Sequence, residues 1–314
     1  MKTKAILVML TACALLATAS CSTPGSEIEN THENTGVALA AVETTDAEID
    51  TLFAARIHGP ALPPYEKPTE EICTDYTDTG LLRIAYTSKT DARLKLQVLK
   101  DGNSIAYNLK GDGSIEDFSL QYGSGEYTAR IMQNVKDDEY VVVTSKTFDV
   151  MLTNEEDVYL NSIQNVDWNY DKKPIQDVRY IVSTSLTGLE NTKLLSGCSD
   201  ELYQYVTENI QYDSTKIFNL MYNYLPDIEK TYIEGSGICY DYASLYAAML
   251  RSIGIPAKLV KGYSLQNPDV YHAWNEIYID GEWVIIDTTL DASIPQGAVP
   301  MKKNAQDYAK IYEY

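Results

Sequence analysis

The 314-residue sequence predicts an α+β domain in its C-terminal part, preceded by a small all-β sandwich. Three observations carry that expectation. Over residues 81–153, short alternating apolar runs are separated by glycine-bearing turn signals, the pattern of strands. Over residues 175–314, helical periodicities come first and strand-like runs later, the order of an α+β domain and not of repeating β-α units. That last stretch is also long enough to enclose its own core.

Residues 1–20 read as a secretory signal. Lys2 and Lys4 form the charged start, residues 5–17 the apolar core, and Thr18-Ala19-Ser20 the small residues before a cleavage point. The stretch resembles a bacterial lipoprotein signal, which implies lipidation of Cys21 and an anchored protein facing outward from the cell membrane. Leu10-Thr11-Ala12-Cys13 matches the lipobox pattern more closely but leaves only residues 5–10 as apolar core, so Cys21 is preferred. An ordinary secretory signal cut nearby is the alternative. No later run approaches the roughly 20 apolar residues of a membrane-spanning helix.

The formal net charge of −20 becomes −22 when Lys2 and Lys4 leave with the signal. Phosphate contacts need clustered Lys and Arg, so nucleic acid is disfavoured as a partner. In residues 22–80, twelve acids stand against Arg56 and Lys67. This acidic, Ser/Thr-rich stretch predicts a flexible tether over 21–80, extended near Gly59-Pro60 and Pro63-Pro64.

Strand-like runs follow at 82–86, 94–98, 118–122, 127–131, 140–143 and 148–152, with Asp101-Gly102, Gly111-Asp112-Gly113 and Gly123-Ser124-Gly125 between them. Gly125-Glu126-Tyr127-Thr128 resembles the approach to the penultimate strand of immunoglobulin-like bacterial modules, so an immunoglobulin-like sandwich is expected over 81–153. It contains no catalytic set and reads as a spacer or binding surface. Residues 154–174 read as a linker. In the C-terminal domain over 175–314, a strand or helix near 178–186, a helix over 199–209 and another near 214–225 precede a helix opening at Cys239. A strand over 257–263, a hairpin around His272 and a polar tail complete the chain.

The most specific feature is the pairing of Cys239 with that hairpin. Ala243, Ala247 and Leu250 recur at helical spacing after Cys239, and Gly254 with Pro256 stops the helix. Cys239 therefore stands at a helix N-terminus, where unpaired amides and the dipole favour thiolate over thiol. Asp280-Gly281 between apolar runs signals a two-residue hairpin turn. That register puts His272 opposite Thr289 and makes Asp287 its diagonal neighbour on the same face, within side-chain reach. Such a carboxylate can orient an imidazole and stabilise its charged form. Taken singly, each residue has a plainer reading: Cys239 as a small buried hydrophobe, His272 as structural, Asp287 as a turn or cap. Three in one register are less easily coincidental, and His32 and His58 lie in the polar leader.

Gly237-x-Cys239-x-Asp241-Tyr242-Ala243, Gly254-Ile255-Pro256-Ala257, Gly262-Tyr263, His272-Ala273-Trp274-Asn275-Glu276 and Gly281-x-Trp283-x-x-x-Asp287-x-Thr289 together resemble the transglutaminase-like superfamily, over roughly residues 199–290. Leu202-x-x-Tyr205-Val206-x-x-Asn209-Ile210-x-Tyr212-Asp213 resembles the helix preceding the cysteine in bacterial members. The resemblance implies a papain-like α+β fold, with Cys239 as nucleophile, His272 as general base and acid, and Asp287 as orienting group. Thr288 stands where many members carry proline.

A thioester at Cys239, formed from a peptide or protein amide, is the chemistry implied; cell-wall-associated substrate is one candidate. Resolution by water is favoured, because an unshielded thioester outside the cell meets water at high concentration. Protein crosslinking by an amine, or a non-catalytic surface-binding lipoprotein, are the alternatives. No cofactor or metal is expected, since no calcium-ligand loop can be identified. Tyr240, Trp274 and Tyr271 are candidate cleft residues, with Tyr242 and Tyr263 beside them. Cys73 and Cys198 are open to either a disulfide or two separate buried thiols.

Overall fold

The computed structural model describes residues 44–221, 223–295 and 297–314. The signal over 1–20, Cys21 and the tether through residue 43 lie outside the described residues. From Thr44 to Tyr314 the chain is one compact unit.

Thr45-Asp46-Ala47-Glu48 forms a capping box: the Glu48 amide donates to the Thr45 hydroxyl at 3.4 Å and the Thr45 amide to the Glu48 carboxylate at 2.8 Å. It starts helix α1 (Asp46–Arg56). Ile49 and Ile57 are buried, Arg179 pairs with Asp50 at 2.8 Å, and the Arg56 guanidinium donates to the Leu186 and Leu189 carbonyls. The flexible tether expected through residue 80 is therefore corrected from residue 44 onward. Its low average hydrophobicity concealed a capped helix with a few well-placed apolar residues.

Seven antiparallel strands follow: β1 (Ile72–Cys73), β2 (Leu81–Ile84), β3 (Leu94–Lys100), β4 (Asn103–Leu109), β5 (Glu116–Ser119), β6 (Gly125–Lys136) and β7 (Glu139–Val150). They make two sheets, ordered β1-β2-β5 and β4-β3-β6-β7. Leu94, Leu96 and Val98 alternate inward on β3, as do Tyr127, Ala129 and Ile131 on β6, and Leu82 and Phe118 of the other sheet share their core. The β3–β4 turn is Asp101-Gly102, with positive φ at both residues, as a type I′ hairpin requires. The runs expected at 140–143 and 148–152 are one strand, β7, and β4 is an additional strand whose apolar pattern polar residues interrupt.

The linker expected over 154–174 is also corrected. Val158, Tyr159, Ile163, Val166 and Trp168 are buried, and the Gln164 side chain donates to the Asn108 carbonyl at 3.1 Å. The segment has no helical or strand period, because its apolar residues fill the seam between the β module and the helices.

The remaining elements are α2 (Lys173–Ile181), α3 (Ser183–Gly188), α4 (Asn191–Asn209), β8 (Gln211–Tyr212), α5 (Ile228–Glu234), β9 (Ser236–Gly237), α6 (Cys239–Ser252), β10 (Ala257–Ser264), β11 (Asn267–Ile279), β12 (Glu282–Ile286), α7 (Thr288–Ala292), β13 (Lys302–Lys303) and β14 (Tyr308–Glu313). Helix α6 is buried from Tyr240 to Ser252 and packs on β10 and β11. Those strands belong to a five-stranded antiparallel sheet, ordered β13-β12-β11-β10-β14. The expected polar tail thus contributes both edge strands. Arg251, fully buried on α6, donates to the carbonyls of Asn161, Ala257 and Tyr314, tying seam, sheet and chain end together.

The helix expected near 214–225 is replaced by a single 3-10 turn at Lys216–Asn219. Asp213 Oδ1 accepts from the Thr215 and Lys216 amides, and Ile217, Phe218 and Met221 are exposed. An apolar stripe with no surface to cover does not hold a helix against such local polar competition.

Candidate active site

Cys239 is the first residue of α6, and its partial exposure sets it apart from the buried helix behind it. Its position is held from both sides. Ser236 and Gly237 pair in parallel with Gln211 and Tyr212, fixing the approach. On the helix side, the wholly buried Asp241 carboxylate accepts from the Ile238 amide at 2.8 Å, capping the first turn. Lys216 Nζ pairs with the same carboxylate at 2.7 Å, and the Tyr224 hydroxyl donates to it as well. Lys216 and Tyr224 are thereby fastened to the base of α6.

The hairpin register is as the turn chemistry predicts as far as Ile286, but the expected pairing of His272 with Thr289 does not form, because Thr289 lies in α7. Asp280 and Gly281 have φ of 54° and 84°, Ile279 faces Glu282, and the ladder runs to Asn275 opposite Ile286. One residue beyond, Asp287 leaves the strand and caps α7, accepting the Leu290 amide at 3.0 Å through Oδ1. Its Oδ2 accepts from His272 Nε2 at 2.8 Å and from the Tyr308 hydroxyl at 2.9 Å. A carboxylate can only accept, so the imidazole carries its proton on Nε2. Cys239 also acts on the ring, favouring its charged form in the same sense as Asp287.

Burial disfavours the charged imidazole, but hydrogen bonds and charge from Asp287 and Cys239 outweigh it and raise the His272 pKa to about 10. The ring is therefore an imidazolium near neutrality, paired with Asp287. Nearby, Lys261 on β10 reaches over the Tyr240 ring, with Nζ 3.4 Å from its centroid, and toward Tyr314. Burial lowers its pKa to about 8, with the charge of Cys239 acting in the opposite sense. Its position adds positive potential beside the thiol.

Two of the three candidate cleft residues are not cleft residues. Trp274 is 1 % exposed and packs between His272 and Tyr308, with ring centroids at 6.2 Å and 5.0 Å. Tyr240 is buried, its hydroxyl accepting from Asn165 at 2.6 Å. Alternation along β11 and the helical turn after Cys239 direct both rings inward. Tyr271 does remain exposed, ring against Tyr263 at 5.6 Å, within electrostatic range of Cys239. Tyr242 is buried, donating to the Ile210 carbonyl. Cys73 and Cys198 are separate buried thiols.

Sequence reasoning missed Tyr308, Lys261 and Asn275. Asn275 Nδ2 donates to the Ala243 and Lys258 carbonyls, at 2.9 and 3.1 Å, locking β11 to α6 and β10. The alternation Tyr308-x-Lys310-x-Tyr312-x-Tyr314 was a readable strand signal for β14. Nothing local marks Lys261, whose role depends on a ring and a thiol from another element.

Residues 182–288 match the family model described as the transglutaminase-like superfamily. No curated protein matches the chain. Among solved structures, a proposed cysteine protease from Cytophaga hutchinsonii is 19% identical, covering 74% of this chain and 75% of that one, with a TM-score of 0.31. Calcium-bound LapG of Legionella pneumophila is 16% identical over 47% of this chain and 77% of its own, with a TM-score of 0.33. Red sea bream transglutaminase is 11% identical over 67% and 48%, with a TM-score of 0.31.

Proposed function

From the premise that residues 182–288 carry a transglutaminase-like core, we propose that this chain is a thiol acyl-transfer enzyme acting on peptide or protein amides, with water as the usual acceptor. One observation carries the reading: His272 is hydrogen-bonded to Asp287 and stands within interaction range of Cys239, the first residue of a buried helix. In this reading the thiol proton resides on His272, and the Cys239 sulfur attacks the amide carbon. The Cys239 amide, one of the unpaired donors of the first helical turn, faces the developing oxyanion. Collapse of that adduct breaks the C–N bond, the leaving nitrogen takes the proton from His272, and a thioester remains. Water then gives a proton to His272 as its oxygen attacks the thioester, releasing a carboxylic acid and restoring the sulfur. Asp287 holds the ring in the tautomer both steps need.

The test is the pH dependence of iodoacetamide alkylation at Cys239, read by mass spectrometry on the chain from Ser22 onward, for wild type and His272→Ala. Fast labelling near about pH 6 that slows in the variant is expected. Labelling that rises only above about pH 8, as for a free thiol, and is the same in both proteins would sink the proposal. Added primary amine separates the two acceptors: an amide product would mark crosslinking chemistry.

The reading extends to location. The enzyme works outside the cytoplasm, anchored by lipid at Cys21, and Cys21→Ser should shift it from the membrane to the soluble fraction. The 81–153 module is an immunoglobulin-like sandwich. The sheet order supports this, as does Tyr127, whose hydroxyl donates to the Gly123 carbonyl at 2.9 Å and accepts the Tyr122 amide at 2.8 Å, a corner contact of that fold.

A further inference from the structure

Beside the triad lies a cavity of about 490 Å³, the size range of small-ligand pockets. Its lining includes His272 and Asp287 but not Cys239. That asymmetry has a chemical meaning. In an acyl transfer the acyl carbon is bonded to sulfur, while the departing nitrogen must lie against the imidazole that protonates it. A pocket bordered by the imidazole and its carboxylate, and not by the sulfur, therefore lies on the departing side of the scissile bond.

Its apolar walls are the buried Ile210 and Tyr242, the half-buried Leu290 and Ala292, and the exposed Val270 at the mouth. The charged side chains in the lining are the carboxylates Glu208 and Asp287 and the His272 ring; no Lys or Arg is among them. Asp287 is spent on His272, Tyr308 and the Leu290 amide. A carboxylate-bearing occupant would meet like charge at Asp287, whose His272 partner is already paired with it, whereas an apolar side chain would cover Ile210, Leu290 and the Tyr242 ring.

We infer that this cavity is a specificity pocket for a large uncharged apolar side chain on the residue that leaves as the amine. The substrate class is thus a peptide amide whose nitrogen belongs to a Leu- or Phe-like residue. The inference rests on the acyl-transfer reading of the site and adds to it which side of the bond is selected.

The test uses iodoacetyl amides of amino-acid amides, which carry the variable side chain on the nitrogen side of the carbonyl that approaches Cys239. Labelling rates for the leucine, glycine, lysine and aspartate members are measured at pH 9, where any accessible thiol reacts. Each is divided by the rate of plain iodoacetamide on the same protein. The leucine member should exceed the glycine member by about tenfold or more, the scale set by burying one such side chain. Lysine and aspartate members should not exceed glycine. Ala292→Trp, which fills the pocket, and Val270→Asp, which charges its half-exposed mouth, should each bring the leucine-to-glycine ratio close to one. Two variants are used because the first could misfold.

A wild-type ratio near one, a preference for lysine, or a leucine preference that survives both substitutions would overturn the inference. Failure of the underlying chemistry shows elsewhere, as absence of fast iodoacetamide labelling near pH 6. The ratio at pH 9 decides the pocket in either case.

Discussion

Each proton in the site is assigned by what its neighbours can accept. Asp287 receives His272 Nε2 and the Tyr308 hydroxyl on one oxygen and a helix amide on the other, so its lone pairs are committed before substrate arrives. Tyr308→Phe should leave the fold intact and lower turnover by about threefold to tenfold, the loss of one hydrogen bond to a charged group; kcat and KM on a cleaved peptide would check it, and an unchanged kcat would remove Tyr308 from the positioning shell. Lys261→Met removes the positive charge near the sulfur and should slow iodoacetamide labelling at neutral pH by roughly threefold to tenfold. The His272 pKa is raised to about 10 in the folded protein, against about 6.5 unfolded. Its ion pair thus stabilises fully below about pH 6.5 and is lost as pH climbs through 10. Urea midpoints should accordingly fall from pH 7 to pH 10 in the wild type and fall less in Asp287→Asn.

At the scale of elements, the site is a junction between one helix start and one hairpin. Asp241 carries the helix side: it is wholly buried, caps α6 and takes the Lys216 ion pair from the 213–224 loop. Removing its carboxylate leaves a partly buried ammonium and an uncapped amide, so Asp241→Ala should lower stability by about 3 kcal/mol, measured by urea denaturation. The hairpin ladder was legible from Asp280-Gly281, because a two-residue turn with both φ positive sets the pairing of the strands as far as they run, here to Asn275 opposite Ile286. The 213–224 loop was not legible. Its Ile217, Phe218, Leu220 and Met221 have helical spacing, but burial decides whether spacing becomes a helix, and most of these residues face solvent.

For the whole molecule, the β module and the C-terminal elements share one hydrophobic core. Tyr107 of β4 meets Tyr314 at 5.8 Å, Gln121 reaches the Glu313 carbonyl, and the Tyr159 hydroxyl donates to Glu313. Removing residues 44–153 would expose that face of the C-terminal elements and the seam residues over 154–174. The shortened chain should fail to fold cooperatively, whereas residues 44–314 should melt in a single transition by circular dichroism. A soluble, cooperatively folded 154–314 fragment would show instead that the seam is dispensable.

Local chemistry settled what the sequence determined by itself. The helix start at Cys239, the stop at Gly254 and Pro256, the Asp280-Gly281 turn and the alternating runs of the β module each follow from a few neighbouring residues, and together they brought Cys239, His272 and Asp287 to one site. Tertiary structure decided the rest. Lys261 sits against a ring on α6, Tyr308 closes the far side of Asp287 from the last strand, Trp274 and Tyr240 turn inward, and residues 154–174 become core. None of these has a sequence period, because each depends on which distant surface lies opposite, and burial against a distant surface leaves no mark on the residues nearby in the chain.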